Sequence, residues 1–325
     1  MLRVGTDCSG IEAPIQALIQ LKIPFRHVFA CDSDKYVRAS INANYHPELF
    51  YTDITNRDHT KLPDMDLYIA GFPCQSFSEA GDRKGTTVPR GNIMYDCLDT
   101  IQTKRPTIAI LENVVGFTRW DNGSIHRDLI SRLTKMGYHV EWEILDTQDY
   151  GLPQRRKRMY LVATIGHQNL PIFPLPKKPM LSLENILEIH SSTESDAPSL
   201  LNAINTSILS PYDKKKVTRK MNRYMRNKTI MNELVLAHTM PNGAFSRVCP
   251  TITTNLRYWL AGCDTNRILT IPELVKLQGF PSDFKQVVSD TQFRKQIGNA
   301  MSVNVLVSLF EKMKLVNHFH KQNLS

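Results

Sequence analysis

The sequence predicts an α/β fold, a doubly wound and mostly parallel sheet with helices on both faces, followed by a second, smaller domain. Through the first half, short apolar runs alternate with segments of helical spacing, the pattern of strand–helix–strand units. After Thr164 that alternation stops, and Pro171, Pro174, Pro176 and Pro179 punctuate a linker-like stretch. A hydrophobic fraction of 42% with 22% charged residues is ordinary for a globular chain that buries a sizeable core.

Taken in order, the apolar run Leu2–Thr6 reads as the first strand and Ala13–Leu21 as a helix. Val28–Cys31 is the second strand, and Lys35–Asn44 has helical spacing. Strands at Leu67–Ala70 and Thr107–Leu111 flank a helix at Ile93–Thr103. The amphipathic stretch His126–Met136 and the strand Arg158–Ala163 complete the alternation. In the later region, Leu183–Ile189 and much of Leu200–Leu236 read as helical, Pro250–Thr254 as strand-like and Ile271–Leu277 as a helix. The amphipathic helix Ser302–Lys314 is expected to pack back onto the first domain. The expected division is residues 1–166 completed by 290–325, with residues 167–289 as the smaller domain.

No run approaches the roughly 20 apolar residues needed to cross a bilayer, and the N-terminal residues lack signal-peptide architecture. The expectation is a soluble intracellular protein, in cytoplasm or nucleoid for a bacterial or viral source and in the nucleus for a eukaryotic one. A formal net charge of +9 over 325 residues favours polyanionic partners such as nucleic acid. Cys8, Cys31, Cys74, Cys97, Cys249 and Cys263 show no paired short spacing and no neighbouring His in a ligand pattern. Reduced thiols and no bound metal are therefore expected.

In open α/β sheets, ligands sit beyond the carboxyl ends of the strands, so the residues that end each strand carry the chemistry. Asp7-Cys8-Ser9-Gly10-Ile11-Glu12 follows the first strand, and its small residues let a backbone approach a ligand or simply make the turn. Asp32 follows the second strand, as a ribose acceptor or a helix cap. Asp53-Ile54 supplies a ligand contact or an Asx turn. Cys74, in Gly71-Phe72-Pro73-Cys74-Gln75-Ser76, follows Leu67–Ala70 directly and is a nucleophile or a buried structural thiol. Its polar, glycine- and proline-rich flanks favour the nucleophile. Glu112 ends the next apolar strand, either functional or paired with a basic neighbour. In Gln154-Arg155-Arg156-Lys157-Arg158, strand periodicity points Arg156 and Arg158 the same way, toward an anion or a solvated edge.

Pro73-Cys74-Gln75, Glu112-Asn113-Val114, Gln154–Arg158, Leu277-Gln278-Gly279-Phe280-Pro281 and Gln296-Ile297-Gly298-Asn299-Ala300-Met301-Ser302 occur in the order seen in C5-cytosine DNA methyltransferases, a family the chain resembles. The resemblance covers about the first half and the last quarter, leaving 166–245 unmatched. It implies a Rossmann-like fold that uses S-adenosylmethionine as cofactor. By resemblance, Cys74 attacks carbon 6 of cytosine and Glu112 binds the N3–N4 edge. Arg156 supports the base or the carboxylate, with Arg158 beside it. Ser9, Gly10 and Ile11 meet the methionine end, Asp32 the ribose, Asp53 and Ile54 the adenine, and Asn299 and Ala300 return from the C-terminal block. Residues 76–91 close over a base flipped from the duplex, with Ser76, Lys84 and Arg90 at the DNA. The chain departs from the family in its first block. Cys8 replaces a common aromatic residue, and Glu12 and Ala13 stand where glycines are common, which bears on cofactor contacts.

The unmatched region carries Lys214-Lys215-Lys216, Arg219, Arg223 and neighbouring cations with Tyr212 and Tyr224 interleaved. Read with the catalytic blocks, Lys215, Arg219 and Arg223 form a phosphate-binding face for double-stranded DNA rather than a solvated helix face. Its small size points to a short target sequence, and one set of blocks per chain lets a monomer suffice. Three rival readings share the framework: a methyltransferase acting on RNA such as tRNA, an inactive DNA-binding regulator, and a nicotinamide-dependent dehydrogenase. The last lacks the G-x-G-x-x-G turn and leaves Cys74 unexplained.

Overall fold

The computed structural model describes residues 1–73, 93–166, 171–187, 215, 219, 235–238, 246–254, 258–262, 265–313 and 315. Seven strands form one sheet in the order β3-β2-β1-β4-β5-β7-β6. Strands β1 (Leu2–Asp7), β2 (Phe25–Cys31), β3 (Phe50–Tyr51), β4 (Leu67–Ala70) and β5 (Ile108–Val114) pair in parallel. Strand β7 (Lys157–Thr164) runs antiparallel to β5 on one side and to β6 (His139–Asp146) on the other.

Both faces of this sheet are covered, which is why its strands read as continuous apolar runs rather than alternating ones. On β4, Leu67 and Ile69 enter one hydrophobic cluster while Tyr68 and Ala70 enter another. The first cluster is closed by Ile15 and Leu18 of α1 (Ala13–Gln20) and by Leu306, Leu309 and Phe310 of the C-terminal helix Val303–Lys312. The second is closed by Leu98 and Ile101 of α3 (Ile93–Lys104) and Leu129 and Leu133 of α4 (Ser124–Lys135). Each such side chain, fully removed from water, contributes roughly 1.5–3 kcal/mol. Helix α2 (Lys35–Asn44) packs Val37 and Ile41 against Ala30 of β2.

Beyond β7 the structure departs from the expected pattern. Leu183–Ile186 forms a single-turn helix, α5. Strands have not ended there: β8 (Val235–His238), β9 (Tyr258–Gly262) and β10 (Thr265–Ile268) make a three-stranded antiparallel sheet. Residues 250–254, read as a strand, join no ladder, and Cys249 makes only an isolated bridge to Gln154. Helix α6 (Ile271–Leu277) starts at a capping box between Thr270 and Glu273. It is followed by α7 (Asp290–Asn299) and α8 (Val303–Lys312). The first cluster also takes in Leu175, Leu183, Ile252, Leu260 and Leu274, so these segments share a core with the large sheet. Among the described residues no helix is long and apolar enough to cross a membrane.

Candidate active site

A cleft of ≈ 380 Å³ opens at the carboxyl ends of β1, β2, β4 and β5. Its base is set by Asp7, the last residue of β1, which is fully buried and paired with Arg57 through two hydrogen bonds of 2.8 and 2.7 Å. The Tyr68 hydroxyl donates to the same carboxylate at 2.6 Å. The Arg57 guanidinium also lies against the rings of Phe29 and Tyr51, a stacked buried cation whose two terminal nitrogens are hydrogen-bonded.

From Asp7 the chain turns sharply, with Cys8, Gly10 and Glu12 all at positive φ (51°, 64° and 61°). Cys8 and Gly10 line the cleft. Ser9 and Ile11 are buried instead, and the Ser9 hydroxyl donates to Glu12 at 2.7 Å. Burial holds the Cys8 and Cys31 thiols protonated, far above the range of a reactive cysteine. The cysteines among the described residues, Cys8, Cys31, Cys97 and Cys249, are all free.

Asp32 follows β2 on the wall of the cleft. The cap of α2 is not Asp32 but Asp34, whose carboxylate accepts from the Tyr36 amide. Asp32 Oδ1 accepts from the Asp34 amide at 2.9 Å, and among the described residues its Oδ2 has no partner. Burial raises its pKa to about 6, which still leaves it mostly ionised at neutral pH. Asp53 and Ile54 also line the cleft. Both Asp53 oxygens are engaged in a turn, accepting from the Thr55 amide and hydroxyl and from Asn56. Ile54 and Val37 both give apolar side chains to the cleft lining.

On the other side, Gly71-Phe72-Pro73 leads from β4 into Cys74. A Cβ on Gly71 would stand 2.7 Å from Met301 Cε and 3.6 Å from Glu112 Oε2, so glycine lets β4 run this close to the carboxylate. Asn113 donates to the Phe72 carbonyl at 3.3 Å, tying the two segments together. Glu112 is buried at the carboxyl end of β5, and Arg158 Nε approaches its Oε1 to 3.3 Å. Register explains the meeting: Arg158 stands opposite Val114 and diagonal to Glu112 on the antiparallel neighbour. Burial raises the Glu112 pKa, while Arg158 and then Arg156 oppose that shift.

Arg156 also borders the cleft, but its hydrogen bonds lead elsewhere. Its guanidinium, 2% exposed, donates to the carbonyls of Ile252 (2.9 Å), Gly298 (3.2 Å) and Ala300 (2.8 Å). The Gln154 amide donates to the Leu277 carbonyl and Gln278 Oε1, and Gln278 donates to Ala300. The contact with Glu112 is thus made by Arg158, and Arg156 fastens the C-terminal block to the start of β7. That block brings Gln296, Gly298 and Asn299 to the cleft, while Ala300 is fully buried and contributes its carbonyl to the clamp.

Cys74, Ser76, Lys84, Arg90 and Arg223 lie outside the described residues. Lys215 and Arg219 are helical and exposed. Sequence reasoning missed Arg57, whose partner is 50 residues away, and Gln296, Val37 and Phe72 on the cleft wall. Gln296 opens a block singled out in the sequence, and that position was its only signal. Away from the cleft, His59, Asp96 and Asp99 place ligand-type atoms within 4.8 Å of one another.

A model of the family described as C-5 cytosine-specific DNA methylase matches residues 7–315. The Type II methyltransferase M.NlaX of Neisseria lactamica is 32% identical over 298 residues, covering 89% of this chain and 88% of that protein. The Type II methyltransferase M.HaeII of Haemophilus aegyptius is 31% identical over 288 residues, covering 89% and 86%. Among solved structures, the S. pombe Dnmt2 methyltransferase has the same fold, with a TM-score of 0.69 at 20% identity over 97% of this chain and 98% of that one.

Proposed function

The chain belongs to the C-5 cytosine-specific DNA methylase family and methylates carbon 5 of cytosine in DNA, and from that premise we propose how its own residues divide the work. The observation that carries the assignment is the meeting of Glu112 and Arg158 at the mouth of a cleft beside the segment that leads into Cys74.

We propose S-adenosylmethionine as the methyl donor; when bound, its sulfonium supplies an electrophilic methyl group. The residues present fit that molecule. The cleft volume falls in the range of small-molecule sites. Asp32 Oδ2 is available to a ribose hydroxyl, and Ile54 and Val37 offer apolar surface to a flat base. Gly10 and Asn299 border the methionine end.

Carbon 5 of cytosine is a weak nucleophile, and covalent catalysis splits the difficulty. The Cys74 thiolate adds to carbon 6, forming an S–C bond and pushing an electron pair through carbons 5 and 4 to N3. Glu112 meets that charge. A neutral carboxyl donates its O–H to N3 and accepts from the N4 amino group, and the burial that raises its pKa favours that form. Carbon 5 of the adduct then takes the methyl group. A water molecule takes the carbon-5 proton as the thiolate departs, which restores the double bond, and the N3 proton returns to Glu112. Arg158 orients the carboxyl, and Arg156 holds Gly298–Ala300 in place. In a duplex the base must first be flipped out, at a cost of a few kcal/mol. Lys215, Arg219 and Arg223, with Ser76, Lys84 and Arg90, supply the contacts to double-stranded DNA.

Duplex DNA of varied sequence containing 5-fluorocytosine tests this reading, because fluorine cannot leave as a cation and the adduct persists. With S-adenosylmethionine, the wild-type chain should form a covalent species on a denaturing gel, and Cys74→Ala should form none. Absence of an adduct on DNA, with trapping on tRNA carrying the same base, would overturn the substrate assignment.

A further inference from the structure

The position at which this chain departs from its family's glycine pattern is the centre of a buried hydrogen-bond hub. Glu12 has φ 61°, a conformation that glycine adopts freely and a glutamate does not. It is the first-turn cap residue of α1 by position, yet its side chain makes no cap hydrogen bond. The side chain turns inward and is completely buried. Its Oε1 accepts from the Thr6 hydroxyl and from the Ser9 hydroxyl, each at 2.7 Å. His27 Nε2 lies 3.0 Å from that same Thr6 oxygen. One carboxyl oxygen thereby joins the end of β1, the turn and the start of α1.

The hub is not explained by stability. A buried carboxyl is costly, and Oε2 has no partner among the described residues. What the hub does fix is Ser9, whose two chain neighbours, Cys8 and Gly10, form the cleft wall. Pinning the Ser9 side chain sets the orientation of the peptides on either side of it.

We propose that Glu12 is a positioning residue for the cofactor, anchoring the Cys8–Ile11 turn so that its backbone meets the methionine end. The inference rests on the reading of the cleft as the S-adenosylmethionine site. Where the family pattern commonly has glycine, the turn here is held by a side chain from beneath rather than by backbone freedom alone.

Steady-state kinetics at varied S-adenosylmethionine on Glu12→Ala, Glu12→Gly and Glu12→Gln, with Ser9→Ala and the Ser9→Ala/Glu12→Ala double variant, test it. Glu12→Ala and Glu12→Gly should raise the cofactor KM about tenfold with kcat changed far less, because the lost hydrogen bonds act on binding. The glycine variant relieves the backbone, so a KM rise there isolates the side chain. Glu12→Gln keeps an acceptor oxygen for Thr6 and Ser9 and should restore KM to within about threefold of wild type. The double variant should be no worse than Glu12→Ala alone, since both break one link. An unchanged KM in Glu12→Gly, or a Glu12→Gln variant as impaired as Glu12→Ala, overturns the proposal. If the Glu12 variants do not fold, Ser9→Ala decides: an unchanged KM overturns the anchor. Calorimetric titration of S-adenosylmethionine into folded wild-type protein separates the two levels. No binding there overturns the cofactor reading and the anchor with it, whereas wild-type binding matched by equal binding in Glu12→Gly overturns the anchor alone.

Discussion

Glu112 lies under two opposed influences, burial that favours its proton and a guanidinium at 3.3 Å that favours its charge. In the mechanism proposed above Glu112 lends a proton to N3 and takes it back, and such a group gains from this balance, since efficient acid–base exchange needs a pKa near the working pH. Glu12 is the contrasting case, a carboxyl with no cation beside it whose pKa burial pushes up to about 8 from 4.5. Asp7 and Asp32 add to that rise, and His27, itself lowered to about 4 by burial, is neutral and offers no counter-charge. The folded chain therefore holds the Glu12 proton more tightly than the unfolded chain does. That contribution is full below pH 4.5 and is lost as pH rises through about 8. Glu12→Gln lacks this loss. Melting curves should show the variant gaining on wild type by about 5 °C between about pH 5 and about pH 9. Parallel pH dependence of the two would show that Glu12 ionises normally in the fold.

At the scale of elements, the reversal of β7 is what assembles the site. In a wholly parallel sheet the first residues of a strand lie at the edge opposite the strand carboxyl ends. Because β7 runs antiparallel to β5, its start lies beside the end of β5, and Arg156 and Arg158 arrive where Glu112 ends. The apolar run 159–163 predicts a strand but is silent on its direction, since a strand buried on both faces looks the same either way. β6 escaped the sequence altogether. It is an edge strand in which Glu141 and Glu143 interrupt Val140, Trp142 and Ile144, and His139, Trp142 and Ile144 are exposed. Strand ends that carry chemistry were legible because apolar runs stop there; β8–β10 were not, being short and set among polar residues. The end of α7 depends on a missing side chain. A Cβ on Gly298 would fall 2.5 Å from the Thr253 carbonyl carbon and 2.6 Å from the Thr254 nitrogen, both backbone atoms. Gly298→Ala should cost about 1–3 kcal/mol of stability and weaken cofactor binding, because Gly298 and Asn299 border the cleft. Thermal melts with and without S-adenosylmethionine check both, and an unshifted melt would mean that residues 253–254 can move aside.

At the scale of the whole molecule, the net charge of +9 has a testable distribution. Lys215 and Arg219 are exposed on helical backbone, so charge reversal there should weaken DNA binding without unfolding the chain. Adding Arg223→Glu, the triple variant should flatten the plot of log affinity against log salt by about one unit for each phosphate no longer neutralised. An unchanged slope across several salt concentrations would remove this face from the DNA interface. The order of the blocks was legible because those that fall on described residues sit at the ends of strands or helices. Pairings between distant residues, Asp7 with Arg57 and Arg156 with Ala300, were not, since no local pattern announces a partner 50 or 144 residues away. The Arg156 clamp also has a bearing on how the protein is made. A ribosome delivers residue 156 long before residues 298 and 300, and until they emerge the guanidinium has at most one of its three carbonyl partners. A buried cation so poorly satisfied does not leave water, so in the nascent chain the start of β7 stays unsealed and the far wall of the cleft is missing. Synthesis order thus makes the methyltransferase a latecomer to its own activity, competent only after its last block has been translated and has folded back onto the sheet.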